Sequence, residues 1–243
     1  MTDAVHRARF VLSSIVVLGL LAAAVVSGQP AQGRASNRSE ETPPTAAVSQ
    51  VLDPEVILPS RVSAAWGRSV SALNRAEARV DDQQYGSAAA ALWAVGANMG
   101  RAHLAARAQM RVPIDPEAEA TPGPDSVLVV LGLEQAAITR LAGLYDTVTD
   151  PVVLNRIGGA MDAALTKRDR LLDKVINLKP GKAAAYADGM ADTVDGYTDE
   201  VSNLTEALKV DHLTISARAA LTNALARSQA AAAKVTAAFG GGE

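Results

Sequence analysis

The sequence predicts an all-α protein of antiparallel helical hairpins packed as a helical bundle, preceded by an export signal and a disordered linker. Three observations support this prediction. Apolar residues make up 49% of the 243 residues but aromatic residues only 3%, so the apolar content is mostly Ala, Val and Leu, a composition that favours helices. Apolar positions recur every three or four residues over long segments, as on one face of a helix. Polar, Pro-rich breaks separate these segments.

Residues 1–28 have the pattern of a secretory signal. A short basic head at 6–9 precedes an apolar run over 10–26, and small residues follow up to Gly28. We predict cleavage after Gly28. The apolar run is close to the lower limit of about 17 residues for a membrane span, so a retained signal anchor is the alternative. Both versions place the remainder of the chain outside the cytoplasm.

Three further segments are predicted to lack regular structure. Residues 29–59 are rich in Pro, Ser and Thr and are predicted to be a disordered linker. Residues 112–125 contain four prolines and four acids, which indicate a solvated acidic loop because proline interrupts a helix. Residues 240–243 are predicted to be a flexible tail.

The first predicted hairpin covers residues 60–111. Two helical stripes flank a short polar segment at 81–84, which is the predicted turn. The apolar positions are Val62, Trp66, Val70, Leu73 and Val80 in the first helix, and Leu92, Val95, Met99, Ala106 and Met110 in the second.

Residues 126–239 are predicted to form the main bundle from two more hairpins. In the first, over 126–178, Asp150 is a suitable N-cap and Pro151 suits the first helical position, so the chain turns there. Its apolar positions include Leu131, Ile138, Leu141 and Tyr145, then Leu154, Ile157, Met161, Leu171 and Val175.

The last hairpin is predicted over 181–239, with a turn near 210–212 where the apolar stripe changes phase. The alternative is one long bent helix over 182–239. The apolar positions are Met190, Val194, Tyr197, Val201, Leu204 and Leu208, then Leu221, Leu225, Ala232, Val235 and Phe239.

Glu134 and Arg168 each interrupt the apolar stripe of their helix as its only charged residue. In an antiparallel hairpin that turns near Asp150, the two positions are almost equally distant from the turn, so they lie at the same level. We therefore predict a structural ion pair between them, which would fix the helix register. The alternative is that both charges reach solvent at the margin of the stripe.

Four aspartates, Asp188, Asp192, Asp195 and Asp199, share one helix face because they are spaced by three and four residues. We interpret this row as a solvated face, since it lies opposite the apolar stripe. The alternative is a face for a basic partner or a weakly bound cation. A straight helix face does not wrap an ion as calcium loops do.

Histidine and aromatic residues are given structural roles. Beyond the signal only His103 and His212 remain, and no spacing typical of a metal site includes either. His103 is interpreted as a residue at the boundary of the core. The aromatic residues Trp66, Trp93, Tyr186 and Tyr197 lie on or beside apolar stripes and are predicted to pack in the core.

Several function classes are disfavoured. The chain has no Cys, which excludes disulfides, zinc–thiolate sites and a cysteine nucleophile. It has no GxSxG elbow, no SxxK pair and no Gly-rich phosphate loop. The net charge of −3 offers no basic footprint for nucleic acid. We therefore predict no enzymatic activity, no catalytic residues, no cofactor and no metal site.

The sequence favours an exported, non-catalytic helical interaction or scaffold module of the bacterial cell envelope or extracellular space. A bacterial source is indicated by abundant Ala and by the excess of Arg over Lys. The expected partner is an unidentified protein or envelope component, and membrane contact is expected only through an uncleaved N-terminal segment. The alternative is a small-ligand or metal-binding bundle in the same compartment. An interior pocket would favour the ligand alternative, and a filled core with an exposed apolar patch would favour the partner.

Overall fold

The computed structural model describes residues 58–113 and 122–240. The predicted export signal, most of the linker, the centre of the acidic loop and the end of the tail lie outside the described residues. Within them the chain is helical with no strand, which confirms the all-α prediction. The described helices are α1 (Ser60–Asp81), α2 (Tyr85–Gln109), α3 (Pro122–Thr147), α4 (Pro151–Ile176), α5 (Pro180–Ala207) and α6 (Ile215–Phe239).

The helix ends follow from local sequence signals. At the start of α4, the Asp150 side chain accepts hydrogen bonds of 2.9 Å from the backbone N–H groups of Val152 and Val153. At the start of α6, Thr214 accepts a hydrogen bond of 3.1 Å from the backbone N–H of Ala217. Both are N-caps of the expected type.

The start of α3 differs from the prediction, and the structure decides between the two alternatives for the last segment. Helix α3 begins at Pro122, inside the predicted loop over 112–125. Proline is tolerated there because the first turn of a helix has no use for the missing N–H. The last segment forms two helices and not one bent helix, and Arg218 donates hydrogen bonds to the Leu208 (2.8 Å) and Val210 (3.2 Å) carbonyls of the connecting turn.

The three hairpins stack in chain order, with α3 and α4 in the middle layer. Helix α2 packs on α4, α3 on α5, and α4 on α6. Equivalent helices of neighbouring hairpins run parallel. On α2, for example, Gly96 faces Ala163 of α4 and Gly100 faces Lys167, so the residue numbers rise together along both helices.

Helix α3 lies at the centre of the stack and contacts α1, α2, α4 and α5. Among the described helices it alone is long and apolar enough to cross a membrane. In its most apolar stretch, 67% of the residues are buried by the rest of the protein. A buried core helix can match a membrane span in length and composition. In this protein the neighbouring helices cover α3.

Helices α3 and α5 approach closely at two glycines of α5. A Cβ atom on Gly189 would lie 2.2 Å from Leu128 Cδ1, and one on Gly196 would lie 2.8 Å from Gln135 Oε1. Gln135 also donates a hydrogen bond of 3.2 Å to the backbone carbonyl of Thr193, so its buried amide is held in place. The glycines therefore set the distance between these two helices.

We expect Gly196→Ala to lower the free energy of unfolding by about 1–3 kcal/mol, because the new methyl group must displace the Gln135 amide. The matched control is Gly143→Ala in α3, where a Cβ would meet no atom within 4 Å. That change should raise the free energy of unfolding by about 0.5–1 kcal/mol through helix propensity. Urea unfolding of both variants measures the difference, and a similar effect at the two sites would contradict the close packing.

Candidate functional site

A surface groove of about 370 Å³ lies between α2 and α4. Its lining is formed by small, apolar and basic residues: Gly96, Ala97, Gly100, Arg101, His103, Leu104, Arg107, Lys167 and Arg170. We call this the α2–α4 groove. It is open to the surface, and its size is within the range of small-ligand sites.

Glycines bring the two helices of the groove together. A Cβ on Gly96 would lie 3.1 Å from the Ala163 Cβ, so the helices are in tight contact at this level. One turn further along, Gly100 lies next to the aliphatic part of Lys167, with 3.6 Å between a Cβ built there and Lys167 Cε. The Lys167 stem therefore lies across α2 at the groove.

Four cationic side chains line the groove: Arg101, Arg107, Lys167 and Arg170. Arg101 donates a hydrogen bond of 2.7 Å to Asn98 Oδ1. Over 58–113 and 122–240, no carboxylate lies within ion-pair distance of any of the four. Other arginines of the protein, such as Arg140 and Arg227, do pair with carboxylates. The groove is thus a local excess of positive charge on a chain whose net charge is negative.

His103 lies in this groove but is only 3% exposed, and its Nδ1 has no hydrogen-bond partner in the described structure. Burial, together with the charges of Arg107, Lys167 and Arg170, lowers the pKa of His103 to about 4, against an opposing hydrogen bond with the Lys167 backbone. The imidazole is therefore neutral at physiological pH. The sequence placed His103 at the boundary of the core, but the packing of α4 on α2 buries it.

Two large apolar side chains are exposed beside the groove. Trp93 is 70% exposed and Leu104 is 63% exposed. With Ala97 and Gly100 they are spaced by three and four residues along α2, so they share its outer face. The predicted core position of Trp93 is therefore wrong, because α2 buries its other side, around Leu92.

The remaining aromatic predictions agree with the structure. Trp66 is 4% exposed, and Tyr186 and Tyr197 are completely buried. All three lie on the inward faces of their helices, as the apolar stripes indicate.

A second group of polar residues forms a layer across the core of α3–α6. One or two residues from each helix contribute, and all of them are completely buried: Glu134, Arg168, Tyr197, Glu200 and Ser228. We call this the polar layer. None of its residues lines the α2–α4 groove.

Arg168 is the centre of the polar layer. Its guanidinium forms an ion pair with Glu200 and a hydrogen bond with Asp169 Oδ1, 3.0 Å from Nη2. Its Cζ lies 5.3 Å from the centre of the Tyr197 ring, which is a cation–π distance. Burial opposes the charge on Arg168, but the neighbouring Glu200 carboxylate raises its pKa above the ordinary value.

The structure does not form the ion pair predicted between Glu134 and Arg168. Neither carboxyl oxygen of Glu134 has a hydrogen-bond partner among the described residues, and Arg168 pairs with Glu200 instead. The two residues are buried in the same layer, but the Arg168 side chain extends towards α5 and α6. Burial raises the pKa of Glu134 well above its ordinary value, against the attraction of Arg168.

The acidic row of α5 is only partly described. Asp195 and Asp199 are exposed and Asp192 is half-buried, while the side chain of Asp188 lies outside the described residues. Within the described part of the chain, no three His, Asp or Glu residues form a group that could hold a metal ion. A basic partner for this row stays a prediction.

A second open groove lies at the turn between α5 and α6, where His212 is held in place. Its Nε2 lies 3.0 Å from the Tyr145 carbonyl oxygen and 2.9 Å from that of Val148, so the imidazole links the turn to the end of α3. Acidic and basic residues both line this groove, and Lys209 pairs with Glu206 at 2.6 Å. His212 is therefore a structural residue.

Sequence reasoning missed the α2–α4 groove as a site. A signal was present in the spacing of Arg101, His103 and Arg107, and in the basic pair Lys167 and Arg170. Each set alone resembles ordinary surface charge. The packing of α2 on α4 shows that the two sets belong together.

No protein-family model, no curated protein and no solved structure matches this chain.

Proposed function

We propose that this chain is an exported, non-catalytic helical interaction module of the bacterial cell envelope or extracellular space. Its binding surface is the α2–α4 face, which we define as the α2–α4 groove together with Trp93. The observation that carries the proposal is the exposure of Trp93 and Leu104 on the face of α2 that borders the groove, whose four cationic side chains have no carboxylate partner among the described residues. The expected partner is an acidic protein or envelope component.

The composition of the face supports a role in binding. Trp and Arg are the residues most enriched among those that dominate binding energy at protein interfaces. Exposure of a tryptophan to water is unfavourable, and a partner that covers Trp93 and Leu104 would remove that apolar surface from water. The surrounding cations would attract an acidic partner and orient it.

The groove offers little for catalysis. Among the described residues, its lining contains no hydroxyl and no carboxyl side chain. Its one histidine has a pKa of about 4, which makes the imidazole a weak base at neutral pH. These features support a binding function, in agreement with the absence of catalytic motifs in the sequence. Export is supported by the sequence pattern of residues 1–28 alone.

The alternative function is a small-ligand-binding bundle in the same compartment. The observation that favours it is the volume of the α2–α4 groove, about 370 Å³, with the buried His103 on its lining. A metal-binding version would need ligands that the described residues do not bring together.

A photo-crosslinking residue at position 93 tests the proposed function. In the native bacterium, we expect Trp93→benzoylphenylalanine to crosslink one acidic partner in the extracytoplasmic fraction. The yield should fall several-fold when Arg101 and Arg107 are changed to Gln, because the cations attract the partner. It should also fall at high salt, which screens exposed charges beyond a few ångströms.

The matched control for this experiment is the same photo-crosslinking residue at Ile215, which is 91% exposed at the start of α6. It should give no crosslink to that partner. Equal crosslinking from both positions, or a product found only in the cytoplasm, would overturn the proposal.

A further inference from the structure

We propose that the α2–α4 groove is a binding site for a phosphate group, held by Arg107, Lys167 and Arg170 with His103 as a polar contact at its base. The inference rests on the proposed function, because it names the acidic group that the α2–α4 face recognises. His103 and Arg107 come from α2, and Lys167 and Arg170 come from α4. The site therefore exists only where the two helices pack together.

The charge of the groove favours a phosphate group. Four cations line the groove, and no carboxylate among the described residues neutralises any of them. A dianion offsets more of this charge than a single carboxylate does. Arginine presents a planar fork of N–H donors that matches the oxygen atoms of a phosphate, and Lys167 adds a compact charge.

The unpartnered nitrogen of His103 also favours a bound ligand. A polar atom that is buried without a hydrogen bond is unfavourable, and most such atoms in proteins have a partner. His103 is 97% buried in its surroundings, and its Nδ1 has none among the described residues. A phosphate hydroxyl would donate a hydrogen bond to this nitrogen, or a phosphate oxygen would accept one from it once the imidazole is protonated, after a rotation of the flexible Lys167 side chain that crosses Gly100.

The charges around His103 favour an anion as well. The charged groups that face it are Arg107 from its own helix and Lys167 and Arg170 from α4. All three are cations, and they favour the neutral imidazole together with burial. A bound anion would offset these charges, so anion binding and protonation of His103 should support each other.

The test uses the full chain and three probes: inorganic phosphate, sulfate, and vesicles of phosphatidylglycerol compared with phosphatidylcholine. Nuclear magnetic resonance of labelled histidine follows the titration of His103. The chain contains three histidines, so the signals can be assigned. We expect saturating sulfate or phosphate to raise the pKa of His103 by at least one unit. Sulfate shows that the protein, and not the probe, takes up the proton.

Variants locate the site. The double change Arg107→Gln and Lys167→Gln should weaken phosphate binding at least tenfold, as measured by calorimetry. The control Arg75→Gln removes an exposed arginine of α1 outside the groove. It should change the affinity less than twofold. Arg107 and Lys167 are half-buried and Arg75 is exposed, so all these variants should unfold with the same cooperativity as the wild type.

The probes also separate the possible sources of the phosphate group. Binding of free phosphate that the double variant abolishes supports the site with a soluble ligand. Binding to phosphatidylglycerol vesicles alone, abolished by the same variant, supports the site with a lipid headgroup as the source. The inference is overturned if no probe binds, if binding is unchanged in the double variant, or if the His103 titration does not respond to the probe that binds.

Failure of the phosphate site can be distinguished from failure of the proposed function. If crosslinking at position 93 depends on the cations but no phosphate binds, the phosphate assignment is wrong and the partner surface stands. If phosphate binds and no partner crosslinks, the anion site stands and the proposed function is wrong.

Discussion

Replacement of Arg168 by Ala should lower the free energy of unfolding by about 3–5 kcal/mol, which is the usual cost of removing one partner from a buried ion pair. Arg168 and Glu200 are both completely buried. Without the guanidinium, the Glu200 carboxylate keeps a hydrogen bond from Ser228 but has no counter-charge in the core. The packing of Arg168 against the Tyr197 ring would be lost as well. Chemical denaturation at neutral pH measures the effect.

Two further variants make this prediction specific. Arg156→Ala removes an exposed arginine from the same helix and should change the free energy of unfolding by less than about 0.5 kcal/mol. The double variant Arg168→Met and Glu200→Met removes both charges together. This double variant should recover most of the free energy of unfolding that Arg168→Ala loses, because an apolar pair avoids the cost of burying charge. If Arg168→Ala lowers the free energy of unfolding no more than Arg156→Ala does, the buried ion pair does not form.

The second large effect concerns Glu134, whose buried carboxyl group has no hydrogen-bond partner among the described residues. At pH 8 we expect Glu134→Leu to raise the free energy of unfolding by about 1–3 kcal/mol, because the unsatisfied carboxyl group is removed. Few substitutions of a charged residue by an apolar one should stabilise this protein, so the sign of the effect is diagnostic.

The free energy of unfolding gained by Glu134→Leu should depend on pH in a defined direction. Burial raises the pKa of Glu134 in the folded state well above the ordinary 4.5. The folded state therefore binds the proton more tightly than the unfolded chain does. The contribution of Glu134 to stability is fully present below pH 4.5 and is lost as pH rises through the folded-state value. The advantage of the Leu variant over the wild type should grow as pH rises from 4 to 8.

Comparison with Glu134→Gln completes this test. The Gln amide is neutral at every pH, so this variant should also lack the pH-dependent contribution of the Glu134 carboxyl group to stability. Because the amide leaves polar atoms buried, Glu134→Gln should stabilise the protein less than Glu134→Leu does. Loss of stability in Glu134→Leu at pH 8 would contradict the prediction. It would mean that Glu134 is ionised and helps to neutralise Arg168.

The sequence by itself determined the helical class and several local details. The spacing of apolar residues by three and four predicts helices, because that spacing places them on one face. The Asp150 cap and the Pro151 start depend only on neighbouring residues, and the structure shows both. The burial of Tyr197 follows from its place on an apolar stripe. The shared level of Glu134 and Arg168 follows from their distance to one turn.

Only the tertiary structure decided which side chains meet. Arg168 pairs with Glu200, which lies one hairpin further along the chain. Trp93 is exposed, and His103 is buried under α4. The α2–α4 groove needs residues from two hairpins. Periodicity within a helix determines its own apolar face, but the partner of each residue depends on how separate hairpins dock. That docking is set by close contacts such as Gly96 with Ala163, between residues far apart in sequence.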